Sequence, residues 1–191
     1  MSTEQSILEA AEQLFYERSF DGVGVAAIAG LAGVAPSAIY RHFEGKDEIL
    51  AVLFDHAIDA LQRLTAEQHS DPQAELAYLI SGTVEFALGH DRLAAIWSRE
   101  DHALVAPYRR RVQRRQKQYV DRWVTCLDSC YPGWRRPDLI VMVRAVHAIL
   151  TSDLTRPAVS PRSGVVRELI TGAATGALAV LAKPDELPRN M

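Results

Sequence analysis

The chain has 191 residues, 48% of them hydrophobic, with 21 basic and 24 acidic side chains and a formal net charge of −3. That is ample material for a folded core in one large or two small domains. The absence of an apolar run of eighteen or more residues argues against a membrane span, and MSTEQSILEA has no basic n-region of a secretory signal, so we expect a cytoplasmic protein with no membrane partner.

Periodicity predicts helices throughout and no strand. Helix 1 opens with Ser2 and Gln5 at capping-box spacing, buries Ile7, Ala11, Leu14 and Phe15, and stops near Phe20 at Asp21 and Gly22. Helix 2 runs from about Val25 to Leu31, its apolar stripe Val25, Ile28, Ala29 and Ala32 broken by Gly33. Helix 3 runs from Pro36 to His42, because proline suits a first turn that has no use for its missing amide. Ile39 and Phe43 form its inward stripe; Ser37, Tyr40 and Arg41 point away, with Ala38 and His42 at the flanks. Two short helices joined by a glycine turn leave the second one proud of the surface, where it fits a DNA major groove.

Helix 4 keeps the helical period from Ile49 to Leu64 for about five turns, long enough to join two modules rigidly. Asp71 and Pro72 restart the chain for a largely buried helix to Gly89, and Asp91 caps a shorter one through Trp97. Pro107 marks a long helix with Val112, Tyr119, Val120, Trp123, Val124 and Leu127 on one side. PGWRRP, 132–137, reads as a loop, followed by helices over about Asp138 to Leu154 and Ser163 to Leu181, separated by Pro157 and Pro161.

The segment AGVAPSAIYRHFEGKDEIL resembles the signature of TetR-family transcriptional regulators, with Ile28, Ala29, Ala32, Gly33, Val34, Ile39, Tyr40, His42, Phe43, Lys46, Glu48 and Leu50 on the pattern. The resemblance implies an all-α fold of about nine helices. A helix-turn-helix DNA-binding domain would occupy 1–46, a helical effector-binding and dimerisation domain 47–183, and a tail 184–191. It implies DNA contacts from Gly24, Val25, Pro36, Ser37, Ala38, Tyr40, Arg41, His42 and Lys46: Ser37 and Tyr40 on phosphate and base edges, His42 and Lys46 on phosphates, Arg41 on a guanine. Gly24 stands where the family prefers a capping Thr or Ser, Ala35 replaces a capping Ser, and Ala27 replaces a commonly polar residue.

The resemblance further implies dimerisation through the last two helices, where Leu169, Gly172, Ala173, Gly176, Ala177 and Val180 would let a second copy approach closely; simple internal packing is the alternative. It also implies an effector cavity, for which Tyr78, Phe86, Trp97, Tyr119, Trp123 and His147 are the candidate lining; each also reads as plain core. Their apolar character points to a hydrophobic or amphipathic small molecule.

Charge complicates the DNA reading. Residues 1–50 hold eight acids against three bases, a formal balance of −5, where a DNA-binding unit usually carries a positive footprint. Arg41, Lys46 and the amides at helix amino ends would have to supply the phosphate contacts, giving modest affinity with a shallow salt dependence. The alternative is a helical ligand-binding or protein-interaction module that has kept the fold but lost DNA recognition.

Six cations in the run 109–117 suit either an anionic ligand or nucleic acid, or form a solvated helix face whose arginines pair with Glu100, Asp101 or the acids of helix 1. Cys126 and Cys130, at i and i+4, read as small buried residues sooner than as half a metal site or a redox pair. The six histidines, His42, His56, His69, His90, His102 and His147, show no metal spacing. With no phosphate loop or GxSxG elbow either, we expect no metal, no cofactor and no enzyme activity.

Overall fold

A computed structural model describes residues 2–156 and 160–182. Among them the fold is all-α: α1 (Thr3–Arg18), α2 (Val25–Ala32), α3 (Pro36–His42), α4 (Lys46–Leu64), α5 (Pro72–Gly89), α6 (Asp91–Glu100), α7 (Tyr108–Cys130), α8 (Arg136–Leu150) and α9 (Val166–Leu178). Short 3-10 turns follow α6, α8 and α9. Pro157 and the expected tail 184–191 lie outside the described residues.

The chain divides into two compact units, Met1–Ala60 with His90–Gln116 and Leu61–Gly89 with Lys117–Met191. Helix α4 stays with the first unit through Ala60 because Ile49, Leu50, Leu53, Phe54 and Ile58 share one core with Ile7, Leu14 and Phe15 of α1, Ile28 of α2 and Ile39 of α3. Ile96 and Val112 complete that core from α6 and α7. In the second unit α9 packs on α5 and α8, and Leu79, Val84, Trp123, Leu127, Val143, Leu150, Ala174 and Leu178 are buried.

The helix ends show how local chemistry competes with periodicity. Ser2 Oγ accepts from the Gln5 amide at 3.1 Å, but the Gln5 side chain donates to Glu9 at 2.9 Å and does not close the capping box. Helix α1 ends at Arg18, before Phe20, whose ring leaves the helix to lie 5.3 Å from that of Phe15. Helix α8 starts at Arg136, inside the expected loop, with Pro137 in its first turn, the position proline tolerates. It ends at Leu150, four residues early, where Thr151 Oγ1 takes the His147 carbonyl at 2.8 Å and Ser152–Thr155 tightens into a 3-10 turn. Helix α9 is likewise shorter at both ends: Ser163 Oγ accepts from the Val165 amide, and Ala179–Ala182 turns 3-10. The Trp134 indole donates to the Leu181 carbonyl at 2.9 Å and holds that end in place.

Gly82 of α5 lies close against the end of α4. A Cβ there would stand 2.6 Å from Thr65 Cγ2 and 2.7 Å from the Leu64 carbonyl oxygen, and backbone cannot yield cheaply. Gly30 of α2 has nothing within 4 Å. Gly82→Ala should therefore lose ~1–3 kcal/mol in urea unfolding, whereas Gly30→Ala should gain up to ~1 kcal/mol from helix propensity. Equal midpoints for the two variants would contradict this packing.

Candidate nucleic-acid interface and interior aromatic cluster

Helix α3 is set out on the surface by its two neighbours in sequence. Gly33 closes α2 in the left-handed region at φ 70°, its amide directed to the Ala29 and Gly30 carbonyls, and the Val34 amide bonds the Ala29 carbonyl at 3.0 Å. That is a Schellman-type stop, and its φ suits glycine. Neither Gly24 before α2 nor Ala35 before α3 supplies a side-chain cap. Ile39 and Phe43 are buried, and on the opposite side Ser37, Tyr40, Arg41 and His42 are exposed, Tyr40 by 62%. Gly24 and Pro36 are exposed and Val25 is half-buried against the core.

Two expected contact residues stand differently. Ala38 is only 3% exposed: the buried face of α3 is wide enough to take the position next to Ile39, so its methyl is not offered to a ligand. Lys46 is half-buried, and its ammonium donates to the Phe20 carbonyl at 3.1 Å and the Val23 carbonyl at 3.2 Å while sitting 4.1 Å from the Phe20 ring centroid. Two of its three donors thus tie the α1–α2 connection to the start of α4.

The basic run is also committed within the fold. Arg111 pairs with Asp55 at 2.8 Å, and Arg115 with Asp55 at 3.0 Å and with Asp59. Arg109 donates to the Leu104 carbonyl at 2.6 Å, and Lys117 pairs with Asp121 at 2.6 Å. The cross-helix acids lie on α4; sequence reasoning had pointed to α1, Glu100 and Asp101. Asp55 and Asp59, four residues apart on the polar side of α4, were the legible signal.

Of the six candidate effector residues, the fold brings three together. The Tyr119 and His147 rings stack at 5.6 Å, and Trp123 meets His147 edge-on at 4.9 Å. Tyr119 and Thr83 share a hydroxyl hydrogen bond at 2.6 Å. Phe86 is buried on α5; Tyr78 instead packs against His69 at 4.8 Å and accepts from the Glu67 amide. Trp97 packs against the core of the first unit. Trp123 Nε1 and His147 Nε2 are buried without a partner among the described residues.

Tyr119 lines a cavity of about 220 Å³ with Gln62, Thr65, Ala66, Gln118 and Arg122. A second, of about 300 Å³, lies against Gln68, His69, Pro72, Glu75, Arg122 and Cys126. Arg122 borders both and is held by Glu75 at 2.7 Å and by the Thr65 and Glu67 carbonyls. Its place three residues after Tyr119 on a half-buried helix was the available clue. Cys126 and Cys130 are free thiols directed at the Pro72 carbonyl, and burial pushes the Cys126 thiol up to about 12. Among the described residues no group of three or more His, Cys, Asp or Glu is placed to hold a metal ion, and no helix is long and apolar enough to cross a membrane. On α9, Leu169, Gly172, Ala173 and Gly176 are exposed and Ala177 is half-buried, while Ile170, Ala174 and Leu178 face the core; Val180, in the 3-10 turn that follows, is exposed.

A short helix presented by two supporting helices across a glycine turn makes the first unit a helix-turn-helix module. Residues 7–53 match the family model described as bacterial regulatory proteins, tetR family. The chain is 37% identical over 73 residues to the HTH-type transcriptional regulator TtgR of Pseudomonas putida, covering 38% of this chain and 35% of that protein. The match thus spans about a third of the length of that relative. It is 29% identical over 140 residues to the HTH-type transcriptional repressor KstR2 of Mycobacterium tuberculosis, covering 71% of this chain and 70% of that one. The solved structure of KstR2 superposes with a TM-score of 0.77 at 22% identity, covering 94% of each chain. AibR, solved with isovaleryl coenzyme A and operator DNA, superposes with a TM-score of 0.76 at 19% identity, covering 96% of this chain and all of that one. Residues 7–53 thus carry the helix-turn-helix of the tetR family, and the chain shares the fold of these solved structures.

Burial alone lowers the pKa of His147 from 6.5 to about 4. Between those values the unfolded chain binds a proton that the folded chain refuses, so this contribution to stability is full above about pH 6.5 and is lost as the pH falls toward 4. The loss should not exceed ~3 kcal/mol. His147→Phe should flatten the pH dependence of the unfolding midpoint across that window, and an unchanged slope would place the acid sensitivity elsewhere.

Proposed function

We propose that this chain is a ligand-responsive transcriptional regulator of the cytoplasm, a repressor that binds a palindromic operator as a homodimer and is released by a small hydrophobic or amphipathic effector. The observation that carries the reading is the face of α3: Ser37, Tyr40, Arg41 and His42 stand exposed on the side opposite Ile39 and Phe43. A helix so presented fits a major groove, where Arg41 can fork onto a guanine and Tyr40 can reach a base edge or phosphate. One such helix covers few base pairs, so two copies related by a twofold axis would read half-sites ~34 Å apart or a multiple.

The homodimer is supported by the outer face of α9 and the 3-10 turn after it, which leave Leu169 62% and Val180 45% exposed beside Gly172 and Gly176. Val141 of α8 and Val165 add further exposed apolar surface. Side chains of that kind left open on two neighbouring helices suit a second copy of the same face. For the effector, the support is the Tyr119–Trp123–His147 cluster and the cavity at Tyr119. Release from the operator follows if the ligand favours a conformation that binds it less well.

Tyr40→Ala combined with Arg41→Ala should abolish binding to DNA upstream of the chain's own gene in a mobility-shift assay, while light scattering still reports a dimer. Wild-type binding should fall with salt at a log–log slope of about −4, as for two phosphate contacts per protomer. Retained binding by the double variant would exclude α3 as the reading element. No wild-type binding at low salt would favour the module that has lost DNA recognition. Gly172→Leu with Gly176→Leu should give a folded monomer, since a Cβ at either position meets nothing within 4 Å of the protomer; a persistent dimer would move the interface elsewhere.

A further inference from the structure

Residues 1–60 carry ten acids against three bases, and residues 90–116 carry seven arginines against three acids. Near the recognition helix the most consequential of these acids is Glu44. It is exposed and lies two residues beyond His42, where a phosphate-binding surface would continue. An ionised carboxylate free to swing there would repel the DNA backbone.

The fold does not leave it free. Tyr108, the first residue of α7, donates its hydroxyl to Glu44 Oε2 at 2.7 Å. Glu48 Oε2 accepts from the Glu44 amide at 2.6 Å, which fixes the backbone at the same point. The Tyr108 ring is backed by the Arg111 guanidinium, 5.8 Å from its centroid, and Arg111 is itself anchored on Asp55. Arg115 holds Asp55 and Asp59 one turn further on. Tyr108, Arg111 and Arg115 occupy one face of α7 at i, i+3 and i+7, so the start of α7 is fastened to α4 and the phenol has a set reach.

We propose that Tyr108 is a positioning residue for DNA binding: its hydroxyl captures the Glu44 carboxylate at the exit of the recognition helix and keeps that charge off the phosphate backbone. The inference rests on the DNA-binding reading above. A hydrogen bond to an ionised acceptor is among the stronger neutral-donor contacts. The bond to Glu44 pushes the phenol up to about 12, so Tyr108 remains a donor at any pH at which the protein would work. A neutral donor also restrains the acid without adding a cation that would itself seek phosphate. The arginines behind it do the neutralising, on Asp55 and Asp59.

The test uses the full-length chain and a duplex recovered with it by repeated selection from a random-sequence pool. Tyr108→Phe should weaken binding about three- to tenfold at ~0.1 M salt, and the difference should fade at roughly 0.5 M, where an exposed charge is screened. Glu44→Gln alone should bind as well as wild type or better, and Glu44→Gln in the Tyr108→Phe background should restore wild-type affinity. A merely structural role for the phenol would not be rescued by removing the charge at 44. Undiminished binding by Tyr108→Phe, or a loss that Glu44→Gln fails to reverse, overturns the inference and leaves the DNA-binding reading intact. A wild-type chain that selects no duplex overturns both.

Discussion

The structure around the candidate interface depends on the burial of Ile39 and Phe43. Helix α3 has seven residues, an alanine before it and no side-chain cap, and a helix so short is unstable in water on its own because nucleation costs more than one or two turns of hydrogen bonds return. Burying an isoleucine and a phenylalanine contributes about 1.5–3 kcal/mol each, which offsets that cost and decides the orientation too. With those two side chains in the core shared by α1, α2 and α4, Ser37, Tyr40, Arg41 and His42 have only the outside left. Lys46 adds a polar fastening at the next turn of chain by drawing the Phe20 and Val23 carbonyls to the start of α4.

How much of this could be read beforehand follows from what each signal encodes. Gly33 and Pro36 are punctuation with a local cause, and the bounds of α2 and α3 came within a residue of the observed ones. Helix α5 behaved the same way, with Pro72 at its start and an apolar surface too broad for one stripe. Ends governed by side chains that compete for backbone groups were harder: Thr151 and Ser163 look like ordinary helix residues until their hydroxyls are seen on the His147 carbonyl and the Val165 amide. Periodicity also names a face without naming its neighbour. It put Ala38 at a flank because it could not measure how wide the buried face is, and it grouped Trp97 with Tyr119, Trp123 and His147 because all are large. Trp97 packs on the core of the first unit, to which residues 90–116 belong.

The acid excess of the first fifty residues takes on a different meaning once partners are known. Glu9 and Glu17 accept from Gln5 and Gln13, Glu48 accepts from the Glu44 amide, and Glu44 accepts from Tyr108. These carboxylates serve as internal acceptors that tie helix turns and loops. A formal charge summed over a segment treats them as if they all faced a ligand; where each one points decides the field that a phosphate would meet. The same holds for the arginine run, whose count suggests an anion site and whose geometry spends Arg111 and Arg115 on α4.

The interior of the second unit presents the opposite situation, groups with too little to hold. A buried polar atom without a partner costs ~1–3 kcal/mol relative to one that is paired, and His147 Nε2 and Trp123 Nε1 lie side by side in that condition. Thr83 satisfies the neighbouring Tyr119 hydroxyl. A neutral imidazole nitrogen and an indole N–H together can meet a ligand that offers one donor and one acceptor on an otherwise apolar body. Such a ligand would recover the desolvation cost of those two groups, and would therefore favour whichever conformation opens the cluster to it. That differential is the physical requirement for an effector to shift an equilibrium, and the effector proposed above would draw on these two polar atoms as well as on the apolar walls.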